Sequence, residues 1–136
     1  MNVTFQVHPQ GNPSIHTPWG MSDYHHQVSD GVDNYGTPKH GGFYVSPEKN
    51  AAIPELWRNE NGWYEEDCEW AIVCYFYPEG FSLDALPQES WVGNPPDIKE
   101  TAIASLKAWH WQKWEKYHGV TLAPGESWMK DNTLFS

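Results

Sequence analysis

Basic side chains are what this 136-residue chain has least of: eight Lys and Arg stand against 18 Asp and Glu, giving a formal net charge of -10. That balance argues against a nucleic-acid binder, whose affinity comes mainly from Lys and Arg neutralising phosphates. Cysteine is almost absent. Cys68 and Cys74 are the two present, too few for a disulfide framework and suited to a reducing compartment. Long apolar runs are missing as well: no window approaches the roughly 18 consecutive apolar residues that a membrane span needs. The opening Met-Asn-Val-Thr-Phe-Gln-Val lacks the basic and apolar regions of a secretory signal. The expectation is a cytoplasmic protein with no membrane attachment.

Tryptophan, in contrast, is plentiful, with nine residues in a chain that is 15% aromatic. This excludes a disordered acidic tail, because disorder requires few aromatics. The length fits one domain, residues 1–136, burying roughly two-thirds of the unfolded chain's surface.

Periodicity and turn chemistry predict the elements. Val3, Phe5 and Val7 alternate with polar residues as in a half-buried strand, ended by His8 to Pro13. A second strand is expected over Tyr24 to Ser29, a hairpin turn at Asp30-Gly31, and a return over Val32 to Thr37. Pro38 to Gly42 reads as another turn, followed by a strand at Phe43-Tyr44-Val45. Ser46-Pro47-Glu48 carries an N-cap and a first-turn proline, starting a short helix that Pro54 disturbs. Acidic residues crowd the start of Trp63 to Tyr77, and Cys68, Ala71, Ile72 and Tyr75 share a helical stripe, so this stretch reads as helix. A long helix is expected over about 97–118, where Ile98, Ala102, Leu106, Trp109 and Lys113 share a stripe that Gly119 ends. Trp109 and Trp114 then read as core, with His110 and Trp111 on a second, exposed face. Val120 to Ser136 shows no period. The fold class expected is α+β, a small antiparallel sheet of three to four strands with helices packed on one face.

The charge is concentrated. Residues 59–98 hold nine acids and no Lys or Arg, while residues 1–58 hold five acids and three bases, and residues 99–136 hold four and five. Such a block attracts a basic partner over long range; it also serves simply as a solvated face, and an acidic run before a helix has a local explanation in the dipole.

Catalytic candidates gather around His40 and the run Glu65-Glu66-Asp67-Cys68. A thiol near a helix start and an imidazole at an open glycine turn could form a nucleophile pair oriented by a carboxylate, or His40 and two carboxylates could hold a divalent ion for hydrolysis. Against this, surrounding carboxylates raise a thiol's pKa, and glycines at a turn have backbone reasons to be there. The seven His fall in no closed zinc spacing, and His25 and His26 would point to opposite strand faces. No metal or cofactor is expected. Binding candidates are Trp19, Trp63, Trp91 and Trp111 together with Glu65, Glu66, Asp67 and Glu69, since aromatics outside a core are enriched at interface hot spots. Trp128 also lies outside any periodic stretch.

Thr17-Pro18-Trp19-Gly20, then His40-Gly41-Gly42-Phe43 leading to Ser46-Pro47-Glu48, then Gly62-Trp63-Tyr64-Glu65-Glu66-Asp67-Cys68-Glu69-Trp70-Ala71, form an order that resembles an uncharacterised domain of bacteriophage, plasmid and bacterial proteins. The resemblance covers roughly residues 16–81. It implies a mobile-element origin and supplies no reaction. Two functions are therefore expected as alternatives. One is a small acidic accessory protein that binds and inhibits a host protein with a basic surface, such as a nucleic-acid-handling defence system of the anti-CRISPR kind. The other is a hydrolase centred on His40 and Glu65 to Cys68.

Overall fold

A computed structural model describes residues 5–7, 13–86 and 88–133, and the chain is a mixed α+β protein. By its contacts it divides into two compact units, residues 1–73 and 74–136, each described in turn.

The first unit is mainly β. Strands β1 (Phe5–Val7), β2 (Pro13–Thr17) and β3 (Gly20–Met21) form one antiparallel sheet. The predicted Val3, Thr4 and the segment 8–12 lie outside the described residues. Strands β4 (Tyr24–Ser29), β5 (Val32–Gly36), β6 (Gly41–Val45) and β7 (Trp63–Glu65) form a second sheet in that order. The two predicted hairpins are present. At the first, Gly31 alone takes a positive φ, 79°, so the turn lacks the two left-handed residues of the tightest hairpins; the ladder shifts register between Gln27 and Ser29. Gly31 carbonyl accepts from Ser46 N–H at 2.8 Å, tying the turn to the start of α1 (Pro47–Ala52). Ser46 is the N-cap of α1, and Pro47 is in its first turn.

The fourth strand of that sheet was not foreseen. Trp63 to Glu65, expected as the start of a helix, is β7, paired with β6 through Phe43 opposite Tyr64. Three aromatic or acidic residues beside an exposed strand edge gain ladder hydrogen bonds and burial on both faces: Trp63 and Tyr64, on opposite faces, are both buried. Only after a turn at 66–69 does the helix begin, as α2 (Trp70–Phe76), which spans the division between the units. Tyr64 is fully buried and its hydroxyl donates to Asn50 Oδ1 of α1. The opposite sheet face carries a hydrophobic cluster of Ile15, Tyr35 and Trp63, with Trp19 and Tyr44 packed on it.

The second unit is helical, with two 3-10 turns, Leu83–Ala85 and Gln88–Ser90, ahead of α3 (Ile98–Trp109), α4 (Trp111–His118) and α5 (Trp128–Thr133). Asp97 caps α3 by accepting from Glu100 N–H, and Gly119 ends α4 in the left-handed conformation. The single long helix expected over 97–118 is instead two, separated at His110, whose φ of -126° and ψ of 41° are not helical. The break separates the stripes: Leu106 and Trp114 are buried, while Trp109, expected in the core, is 55% exposed. Within 120–136, where no period was visible, α5 is held by Lys130, which donates to Glu115 and to Leu122 carbonyl.

Candidate functional site

The three sequence segments singled out above converge in the first unit. Thr17-Pro18-Trp19-Gly20 is the tip of the β2–β3 hairpin, with Thr17 opposite Gly20. Thr17 Oγ1 accepts from Trp19 N–H and donates to Gly20 carbonyl. Proline sets the first turn position, Gly20 takes a φ of 123°, and the hairpin is left presenting an indole. The second segment supplies β6 and the third β7. Their ladder sets Gly42 opposite Glu65 and Tyr44 opposite Trp63, and Glu66 N–H donates to Gly41 carbonyl at 3.0 Å. Both glycines are close-approach positions. A Cβ on Gly41 would stand 2.9 Å from Glu66 Oε2, and one on Gly42 would stand 2.3 Å from Trp19 Cη2.

Trp19 meets Trp63 edge to face, with ring centroids 5.7 Å apart and planes at 88°. Trp63 in turn packs on Tyr44 at 4.8 Å and Tyr35 at 5.6 Å. Beside the two indoles opens a cleft of about 530 Å³. Pro18, Trp19 and the turn 58–61 line it. Trp63, Glu65 and Glu69 complete the lining.

A polar network braces this wall. Glu69 Oε1 accepts from Glu65 N–H, and its Oε2 accepts from Asn59 Nδ2 at 2.8 Å, so the carboxylate is fixed at both oxygens. Asn59 Nδ2 also donates to Trp63 carbonyl. The backbone of Asn59 faces the core: its N–H donates to Tyr64 hydroxyl, and its carbonyl accepts from Asn50 Nδ2. Burial pushes the Tyr64 phenol up to about 12. Arg58 donates through Nε to Ile53 carbonyl and through a terminal nitrogen to Glu60 at 3.2 Å. Farther along the same sheet, His25 Nε2 and Asp33 Oδ1 are 2.9 Å apart, and His25 stacks on Tyr35 at 4.7 Å; neighbouring His26 is exposed.

The candidates from sequence fall in different places. Trp19, Trp63, Glu65 and Glu69 line the cleft, although Trp63 is only 5% exposed and contributes mostly packing. Glu66 and Asp67 are exposed, and Asp67 N–H donates to Glu65 Oε1. Cys68 is half-buried, with its thiol pushed up by burial and by Glu65, Glu69 and Asp67. His40 is exposed, and its backbone closes the β5–β6 turn with Thr37. Among the described residues no three His, Cys, Asp or Glu form a group suited to a metal ion.

Trp91 and Trp111 belong to the second unit. Trp91 Nε1 donates to Leu83 and Leu86 carbonyls, and Trp111 is half-buried with Lys130 Nζ 5.4 Å above its ring. Trp128 is 68% exposed. The sequence reading missed Pro18, Arg58, Asn59, Glu60 and Asn61 as cleft residues. The polar Asn59-Glu60-Asn61-Gly62 run was legible only as a turn, and its Asn side chains were the available signal, because Asn bonds nearby backbone readily.

A family model described as a domain of unknown function, DUF7007, matches residues 12–136. The family thus extends well past the 16–81 stretch and takes in the helices of the second unit. No curated protein and no solved structure matches the chain. No helix among the described residues is long and apolar enough to cross a membrane.

Proposed function

The chain belongs to the DUF7007 family, domains of unknown function, and from that premise we propose that it is a small acidic accessory protein of phage or mobile-element origin that binds and inhibits a basic host protein. A nucleic-acid-handling defence system in the host cytoplasm is the class of target that fits. The observation that carries this reading is a cleft lined by Trp19 and Trp63 from the first and third segments together with Glu60, Glu65 and Glu69, with Gly42 of the second segment packed against the Trp19 ring. An accessible indole, Trp19, beside carboxylates favours a basic surface, with charge governing approach and the aromatic retention. The formal charge of -10 adds long-range attraction.

The hydrolase alternative has the β6–β7 ladder on its side, because it sets Gly41, next to His40, beside Glu66. It has the raised Cys68 thiol against it, since a thiol held protonated is a poor nucleophile.

Affinity capture on the immobilised full chain tests the first reading. A stoichiometric host protein retained at low salt, released as salt rises, and inhibited by the free chain is the expected result. Failure to recover any such protein at low salt removes the reading. Salt-independent turnover of a hydrolysable substrate, lost in both His40→Ala and Cys68→Ala, establishes the alternative.

A further inference from the structure

Resting on that reading, we infer that the cleft beside Trp19 is a socket for one arginine side chain of the partner protein. The first argument is charge. Glu60, Glu65 and Glu69 line the cleft with Arg58 as their counter-charge, which leaves an excess of two negative charges. Arg58 is already committed to Ile53 carbonyl and Glu60. Each carboxylate oxygen offers two lone pairs, so Glu69, with one protein hydrogen bond at each oxygen, keeps acceptor capacity for an incoming donor. An anion or a neutral apolar group meets uncompensated carboxylates there; a cation meets acceptors.

The second argument is shape. Trp19 is half-buried at the hairpin tip, so part of its indole faces the cleft, and an indole face holds a cation by its quadrupole. A guanidinium is planar: it stacks on the ring and presents a fork of N–H groups to a carboxylate at the same time, which a lysine ammonium, a compact point charge, does not. The cleft, at about 530 Å³, is large enough to admit an arginine side chain. Glu69 is pinned before any ligand arrives, so little ordering cost remains to be met on binding. The protein's formal charge of -10 favours a basic body as the source of that arginine.

Titration of the full chain with capped Gly-Arg-Gly, Gly-Lys-Gly and Gly-citrulline-Gly peptides, followed by tryptophan fluorescence, tests the socket. Saturable binding of the arginine peptide is expected, with the isosteric but uncharged citrulline peptide weaker by about tenfold or more and the lysine peptide between them. Glu65→Gln combined with Glu69→Gln weakens the arginine peptide by about tenfold. Trp19→Phe retains part of the affinity and Trp19→Ala loses it; should Trp19→Ala fail to fold, the glutamine pair decides. Equal binding of arginine and citrulline peptides, or arginine binding unchanged in the glutamine pair, overturns the inference. If the arginine peptide does not bind while the chain still captures a salt-released partner, the socket is wrong and the interaction reading stands. If the peptide binds as described but no partner is captured, the reverse holds.

Discussion

The indole of Trp19 lies on the backbone of Gly42, so close that a side chain at position 42 would occupy the same space. A Cβ there would stand 2.3 Å from Trp19 Cη2 and 2.3 Å from Tyr64 carbonyl. One of these neighbours is a ring on a hairpin and the other is backbone in the adjacent strand. Gly42→Ala is therefore expected to displace Trp19, destabilise the fold by about 1–3 kcal/mol, and weaken partner binding. Thermal melting and the tryptophan emission maximum check this; an unchanged emission spectrum with unchanged binding would show that Trp19 does not depend on this glycine.

Tyr64→Phe removes the hydroxyl that links Asn50 Oδ1 with Asn59 N–H. Both partners then lack a bond inside a buried network, and the expected cost is about 1–3 kcal/mol. Asn59→Ala keeps that backbone bond and loses only the side-chain bonds to Trp63 carbonyl and Glu69. Its stability cost should be smaller, about 1 kcal/mol, while its effect on partner binding should be larger. Urea denaturation and a binding titration on both variants separate the two effects.

Alkaline pH should unfold the chain earlier than ordinary thiols and phenols would allow. Burial pushes Cys74 from 9.0 up to about 12 and Tyr64 from 10.0 up to about 12. The folded chain then binds more protons than the unfolded chain across that window, so the contribution is complete below about pH 9 and is lost as pH rises toward 12. Urea midpoints taken from about pH 8 to about pH 11 should fall. Cys74→Ala should flatten the lower part of the decline, and Tyr64→Phe the upper part.

On the acid side, the hydrogen bond from Lys130, with a second from Leu122 N–H, holds Glu115 below its ordinary 4.5. A depressed carboxylate stabilises the fold above that value and stops doing so as pH falls through its folded-state pKa. Glu115→Gln should lower stability near neutral pH and flatten the acid limb of the denaturation profile. An acid limb with the same slope in both proteins would assign that stability to other carboxylates.

What the sequence made legible was whatever local chemistry decides. The β4–β5–β6 meander followed from Asp30-Gly31 and the turn at Pro38 to Gly42; α1 from Ser46 and Pro47; the end of α4 from Gly119. Trp63 to Glu65 was misread as helix because its acids suit a helix start, and the competing term, pairing with β6, is set by residues about twenty positions away. The break at His110 has no proline or glycine to announce it, so the stripe through Trp109 looked continuous. The motif residues were visible, yet their meeting was not. Nothing local states that a hairpin tip packs on a glycine pair next to an acidic strand.

Asn59 divides its labour between main chain and side chain. The N–H and carbonyl serve the interior, through Tyr64 and Asn50, while the side-chain amide serves Glu69 and the cleft. Any residue except proline can supply the first pair of bonds. The side chain at this position can therefore be changed by point mutation while the backbone bonds to the core beneath it are kept.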